Sequence, residues 1–313
     1  MSQTPSGSTP TPVSYFSLVA DSDQAFTLRV TLARLAQRTL DVQYYIWDDD
    51  TTGKLLIYRV LEAARRGVKV RMLLDHANQL GRDVKWAALD AHPNIEVRLF
   101  NAFRGRYKHV LQWLHHMPLL NHRMHNKAWI VDGERAIVGG RNIADHYFGV
   151  NASTNFRDLD LYARGPIVAD TQAAFDCYWD SPLAMPMKTL RRYRESAAER
   201  VWQWLRQWRR SLKNYPYLFP QPEAFFPDYL AGQDRQCVQA HAVLLFDSPD
   251  KAAGVKQTLM GDQLAHLLAR DDHQELLMEA SYFIPGDAFV AELAEMKQRG
   301  GRAAGLTNSL APN

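Results

Sequence analysis

The chain has 313 residues, 46% of them apolar, with 37 Lys and Arg against 34 Asp and Glu for a net charge of +3. That length suits two domains of ordinary size, and so small a charge excess does not by itself indicate a nucleic-acid partner. Two cysteines, Cys177 and Cys237, make no disulfide framework, and no Cys/His run has the spacing of a structural zinc site.

In chain order, residues 1–15 read as a disordered lead-in, Ser/Thr/Pro-rich from Met1 to Pro12. They lack the basic and apolar regions of a signal peptide, and no apolar run is long enough to span a membrane. Apolar residues at Phe26, Leu28, Leu32, Leu35 and Ala36 predict an amphipathic helix over Asp23 to Arg38. Leu40 to Trp47 reads as a buried strand. Gly53 to Arg66 is helical and stops at Gly67. Val68 to Leu74 is a strand ending in Asp75-His76-Ala77-Asn78, Arg82 to His92 a helix closed by Pro93, and Ile95 to Phe100 a third strand. This alternation predicts an α/β fold, a sheet with helices on both faces. Sites in such folds gather at strand ends, which makes Asp75-His76 and the Asn101–Arg106 loop expected neighbours of the site.

The stretch from Asn121 to Gly149 concentrates the chemistry. His125-x-Lys127 and Asp132 form H-x-K-x-x-x-x-D, followed by Gly139-Gly140-Arg141-Asn142. A strand over Met124 to Val131, a turn at Asp132–Arg135 and a return strand over Ala136 to Val138 would put His125 and Lys127 on one face. An imidazole beside an ammonium suits chemistry on phosphate. The paired glycines would let backbone N–H groups approach an anion, and Asn142 would cap a helix starting near Ile143. Each residue also has an ordinary reading: a satisfied strand histidine, a hairpin turn, a helix cap. His115, His116, His122 and His125 match no standard metal spacing.

Asn155 to Pro166 alternates as a strand, with Asp158 and Asp160 on one side, either as a solvent-facing acidic edge or as a partner that orients a histidine. Glu195 to Lys213 places Val201, Trp204, Leu205, Trp208 and Leu212 on one stripe amid Arg200, Arg206, Arg209, Arg210 and Lys213. Such a helix docks on its own domain or lies on an anionic lipid surface. Tyr215 to Tyr229 reads as an ordered connector. Leu276 to Asp287 echoes Leu40 to Asp49, and Arg299 to Asn308 echoes Arg66 to Asp75, with a helix over Ala288–Gln298 between them: a repeat at domain scale.

The His125-x-Lys127-x-x-x-x-Asp132 motif with its Gly-Gly-x-Asn tail resembles the phospholipase D superfamily. The segments Q-Y-Y-I-W-D, R-G-V-K-V-R-M-L-L-D and V-R-L-F-N resemble its bacterial cardiolipin synthase branch, a similarity covering most of Phe16 to Pro186. The resemblance implies a phospholipase D-like mixed β-sheet, with a first lobe over 16–186, a helical connector over 187–235 and the beginning of a second lobe over 236–313. It implies phosphatidyl transfer or hydrolysis through a covalent phosphohistidine, with His125 as nucleophile, Lys127, Asn142 and Gly140 at the phosphate, and Asp132 supporting. Asp158 would orient the histidine, and His76 would support the site. No metal and no cofactor are expected. The implied partners are a phosphatidylglycerol-type phospholipid, phosphatidylethanolamine as a donor, and the surface of a bacterial cytoplasmic membrane, with no nucleic acid.

The family uses two such motifs, one per lobe, whereas no second H-x-K occurs in these 313 residues. Truncation, pairing with a second chain, or a half-site without catalysis would each account for this; the stop at Ala311-Pro312-Asn313 favours the first. A nuclease of the same superfamily and a non-catalytic lipid-binding half-domain are the rival readings. The nuclease would need a basic groove.

Overall fold

Leu40, Val42 and Tyr44 alternate with Asp41 and Gln43, and this period of two sets the faces of the central sheet. The computed structural model describes residues 13–102, 122–212 and 237–307, apart from 255–259, 262, 264–274, 281, 282 and 284. Among the described residues its larger unit holds nine strands: β1 (Ser14–Val19), β2 (Thr39–Tyr44), β3 (Lys69–Asp75), β4 (Ile95–Phe100), β5 (Ala128–Val131), β6 (Arg135–Gly139), β7 (Asp160–Arg164), β8 (Ala184–Pro186) and β9 (Val238–Ala240). They form one sheet in the order β8-β4-β3-β2-β5-β6-β7-β1-β9. Strands β2, β3 and β4 are parallel, because α2 (Thr51–Arg65) and α3 (Asp83–Asp90) carry the chain back between them. Every other neighbouring pair is antiparallel, so the sheet is mixed.

Leu40, Val42 and Tyr44, with Val70, Met72 and Leu74, are buried in one cluster with side chains of α1 (Ser22–Leu35) and α2. Each buried aliphatic side chain there contributes about 1.5–3 kcal/mol. On the opposite face Arg71 donates to both oxygens of Asp41 at 2.8 and 2.7 Å, and Gln172 of α4 (Ile167–Trp179) donates to the same carboxylate. Arg71 also lies over the rings of Phe175 and Trp179. Helices therefore cover both faces, one through apolar packing and the other around a charged pair.

Local chemistry sets the helix ends. The Asp50 carboxylate accepts from the Gly53 N–H at 2.9 Å and starts α2 at Thr51; Gly67, at φ +104°, lets the chain leave it. Two further helices, α5 (Met187–Leu190) and α6 (Ser196–Ser211), follow β8. No helix among the described residues is long and apolar enough to cross a membrane.

Several boundaries differ from the sequence reading. β1 opens at Ser14, inside the expected lead-in, because its edges pair with β7 and β9. β9 lies beyond the expected connector yet joins the first sheet, and the larger unit runs to Leu244. β2 ends at Tyr44, β5 begins only at Ala128, and β7 only at Asp160. The smaller unit contains β10 (Glu275–Ala280), α7 (Asp287–Gln298) and β11 (Arg302–Thr307). β10 and β11 are parallel, from Glu275↔Arg302 to Ala280↔Thr307, the same β-α-β order as β2-α2-β3. The connector read over Tyr215 to Tyr229, residues 103–106 of the predicted loop, and His115 and His116 lie outside the described residues.

Candidate active site

The segment carrying His125 is irregular, held by side chains from the ends of β3 and β4. Asp75, fully buried at the end of β3, accepts from the Met124 N–H at 2.9 Å through one oxygen and from the Ala77 N–H at 2.9 Å through the other. The Arg123 Nε lies 3.4 Å from the same carboxylate, and its guanidinium also donates to the carbonyl of Asn101. Burial pushes the Asp75 carboxyl above the ordinary range, against the pull of Arg123 and the two N–H donors. The Met124 side chain is buried, with Gln43 Nε2 3.1 Å from its sulfur. His125 is thereby fixed from the residue before it.

Its ring is fixed from below. Tyr45, the first residue past β2, stacks on the His125 imidazole with centroids 4.0 Å apart and planes inclined by 21°. The Lys127 ammonium lies 5.6 Å from the Tyr45 ring centroid and donates to the His125 carbonyl. Partial burial and then the Lys127 charge lower the His125 pKa, which favours the neutral, nucleophilic imidazole. Burial brings Lys127 down to about 8, with Asp158 pulling the other way. His125 itself is solvent-exposed.

The Gly-Gly-Arg-Asn turn forms the adjoining wall. A Cβ on Gly140 would lie 2.3 Å from Asp158 Oδ1, and one on Gly139 would lie 2.4 Å from Asp160 Oδ1. The two glycines therefore admit two carboxylates, and the Gly140 N–H donates to the Leu159 carbonyl instead of facing an anion. This corrects the anion-cradle expectation for Gly140. Asp160 lies between two buried arginines, 2.9 Å from Arg29 and 3.1 Å from Arg141, and Arg29 also donates to the Tyr44 hydroxyl. Arg141 further donates to the carbonyls of Ala20, Tyr147 and Asp158. Asn142 caps no helix: a bridge between Ile143 and Trp47 and a 3-10 turn at Asp145–Tyr147 follow it. Its buried amide accepts from the Ile46 N–H and donates to the Tyr147 hydroxyl, both at 3.0 Å, tying the turn to the loop after β2.

Two predicted site residues sit elsewhere. Asp132 lies beyond the far end of β5, which spans roughly 13 Å at its four-residue length. There, at φ +56°, its carboxylate accepts from the N–H groups of Gln37, Arg38 and Thr39 and anchors the start of β2. His76 opens the turn after β3, buried, with Nε2 3.7 Å from an Asp83 oxygen. Its neighbour Asp75 is the residue that reaches the His125 segment. Asp158 is half-buried beneath Gly140, and its charge acts on Lys127. The chain order Tyr44-Tyr45 held the signal for the stacking residue: the last strand tyrosine is buried, and the next one is free of the ladder.

Comparison with known proteins shows what the chain is similar to. A family model described as "Cardiolipin synthase, PLD-like domain" matches residues 30–179, which contain Tyr45, Asp75, His125, Lys127, Asn142 and Asp158. Cardiolipin synthase C of Escherichia coli (strain K12) is 40% identical over 292 residues, 92% of this chain and 61% of that protein. Cardiolipin synthase A of Pseudomonas entomophila (strain L48) is 30% identical over 176 residues, 54% of this chain and 35% of that protein. The solved structure of a phosphatidylserine synthase from Haemophilus influenzae Rd KW20 shares the fold, with a TM-score of 0.57 at 14% identity, covering 93% of this chain and 61% of that one. The chain thus spans about three fifths of the length of the relatives it matches along most of its own. Residues 30–179 thus match the phospholipase D-like domain of cardiolipin synthases, and over most of its length the chain is similar to a bacterial cardiolipin synthase.

Proposed function

We propose that this chain supplies the nucleophilic half of a phosphatidyltransferase of cardiolipin synthase type, acting on phospholipid at a bacterial membrane surface. The observation that carries this is the stacked, accessible His125 beside Lys127, its pKa lowered so that a neutral imidazole stands next to a cation.

An imidazole nitrogen of His125 attacks phosphorus, forming a P–N bond as the P–O bond to the leaving alcohol breaks. The departing oxygen takes a proton from the histidine of a second H-x-K-x-x-x-x-D, which comes from another lobe or another chain. Lys127 holds the phosphoryl oxygens, where added negative charge brings its ammonium back to full protonation. Asn142 and Gly140 shape the wall beside that anion, and Asp158 sets the charge of Lys127. An acceptor alcohol then loses its proton to the second histidine and attacks phosphorus, and the P–N bond breaks. Water in place of the alcohol gives hydrolysis. The similarity to proteins named cardiolipin synthases supports a phospholipid substrate, and the reading takes phosphatidylglycerol as acceptor with phosphatidylglycerol or phosphatidylethanolamine as donor.

The test is lipid turnover by the complete gene product in phosphatidylglycerol vesicles. Cardiolipin and free glycerol should appear together and vanish in His125→Ala. Undiminished cardiolipin formation by that variant would remove His125 from the reaction.

A further inference from the structure

Helix α6 has a docked face and an open one. On the docked face Leu205 is buried, Trp202 stacks on Tyr58 of α2 at 4.8 Å and 12°, and Glu199 pairs with Arg65 at 2.5 Å. Trp208 meets Lys54 in the first turn of α2, and Arg209 lies over Tyr58. Helix α6 therefore runs antiparallel to α2. Its Trp208 end lies at the start of α2, only a few residues beyond Tyr45, and so at the His125 end of the sheet.

The open face carries Arg192 and Arg194 from the preceding segment and then Arg200, Arg206 and Arg210, all exposed. Beside them Trp204 is 51% exposed, its ring stacked on Trp208 with centroids 6.0 Å apart and planes at 12°. Trp204 and the arginines make one exposed strip along the helix, and arginines around an indole match anionic headgroups above an acyl boundary. Docking through α2 explains Leu205 and Trp202 but leaves Trp204 and the arginine row without a function.

We propose that the open face of α6 is an interfacial docking surface for an anionic lipid bilayer, which brings the His125 end of the domain to the membrane. The choice of lipid rests on the phospholipid reading above, but binding through this face needs no catalysis.

The experiment is cosedimentation of the protein with vesicles of phosphatidylcholine alone and with about one third phosphatidylglycerol. Wild type should bind the anionic vesicles, prefer them to neutral ones, and release as salt rises. The triple variant Arg200→Glu, Arg206→Glu, Arg210→Glu should lose binding by at least about 100-fold, and Trp204→Ala by about 10-fold. His125→Ala should bind as wild type does, which separates this surface from the catalytic reading. If circular dichroism shows the triple variant unfolded, Trp204→Ala and the salt titration decide. The proposal is overturned by equal binding to both vesicle types, by variants that bind undiminished, or by arginine-dependent binding of a single-stranded oligonucleotide in preference to vesicles.

Discussion

Tyr45 lies flat against His125, ring to ring at 4.0 Å, so the residue that leaves β2 holds the residue that enters β5. This contact both orients the imidazole and removes one of its faces from water. Tyr45→Ala should therefore move the His125 pKa back up toward 6.5, read from the histidine ring protons in an NMR titration. Turnover should fall about 10- to 100-fold from lost positioning, while Tyr45→Phe keeps the stack and most of the rate. An unchanged titration in Tyr45→Ala would show that the stack does not shield the ring.

The Gly140–Asp158 contact predicts a coupled pair. Gly140→Ala drives a methyl to 2.3 Å from Asp158 Oδ1 and should cost about 1–3 kcal/mol. In an Asp158→Ala background the same change should cost much less. Thermal unfolding of the four proteins measures the coupling, and additive losses would show that the turn relaxes without the carboxylate.

Asp160 balances two guanidinium groups that are both buried. Asp160→Ala leaves Arg29 and Arg141 without their counter-charge and should cost about 3–5 kcal/mol, measured by urea unfolding. Since Arg141 precedes Asn142 in the turn, the site should lose order as well. A loss under about 1 kcal/mol would mean that the backbone carbonyls around the arginines suffice.

Activity and stability respond to pH through Lys127. In the proposed mechanism the free enzyme needs neutral His125 and charged Lys127, so kcat/KM should rise as pH passes the lowered His125 value, below 6.5, and fall above about 8, while kcat should hold to higher pH because bound phosphate keeps Lys127 charged. For stability, Lys127 holds its proton up to 10.5 in the unfolded chain but only to about 8 when folded. Between these values the unfolded chain binds more protons, so this group makes stability rise with pH across that window. Below pH 8 it costs the fold a constant amount. Lys127→Met should thus stabilise the protein at pH 7, on the order of 1–2 kcal/mol, with the gain shrinking toward pH 10.5. Urea midpoints at the two pH values check the sign.

The sequence made the β2-α2-β3 unit legible because a buried apolar run, a helical stretch and the stop at Gly67 follow one another, although β2 ends at Tyr44 and not at Trp47 and α2 begins at Thr51 and not at Gly53. It also placed Asp75 and Asn101 near His125 from the rule that sites gather at strand ends. What it missed depends on partners far along the chain. β9 has three residues and no pattern of its own, and exists by pairing with β1. His125 is in an irregular segment because Asp75 takes the Met124 N–H that a ladder would have used. Asn142 looked like a helix cap, yet its partner is the Ile46 N–H, 96 residues away. The paired glycines looked like an anion cradle, and only the packed sheet shows that they admit Asp158 and Asp160.

In the proposed reaction His125 carries phosphorus in a covalent bond during turnover. The most direct measurement is mass spectrometry of the complete gene product, quenched during turnover of phosphatidylglycerol and digested at alkaline pH, where a phosphoramidate survives. A phosphatidyl adduct on the peptide carrying His125, lost on acid treatment and missing from His125→Ala, is the predicted result. Full turnover with that peptide unmodified, or an adduct that persists in His125→Ala, would contradict it.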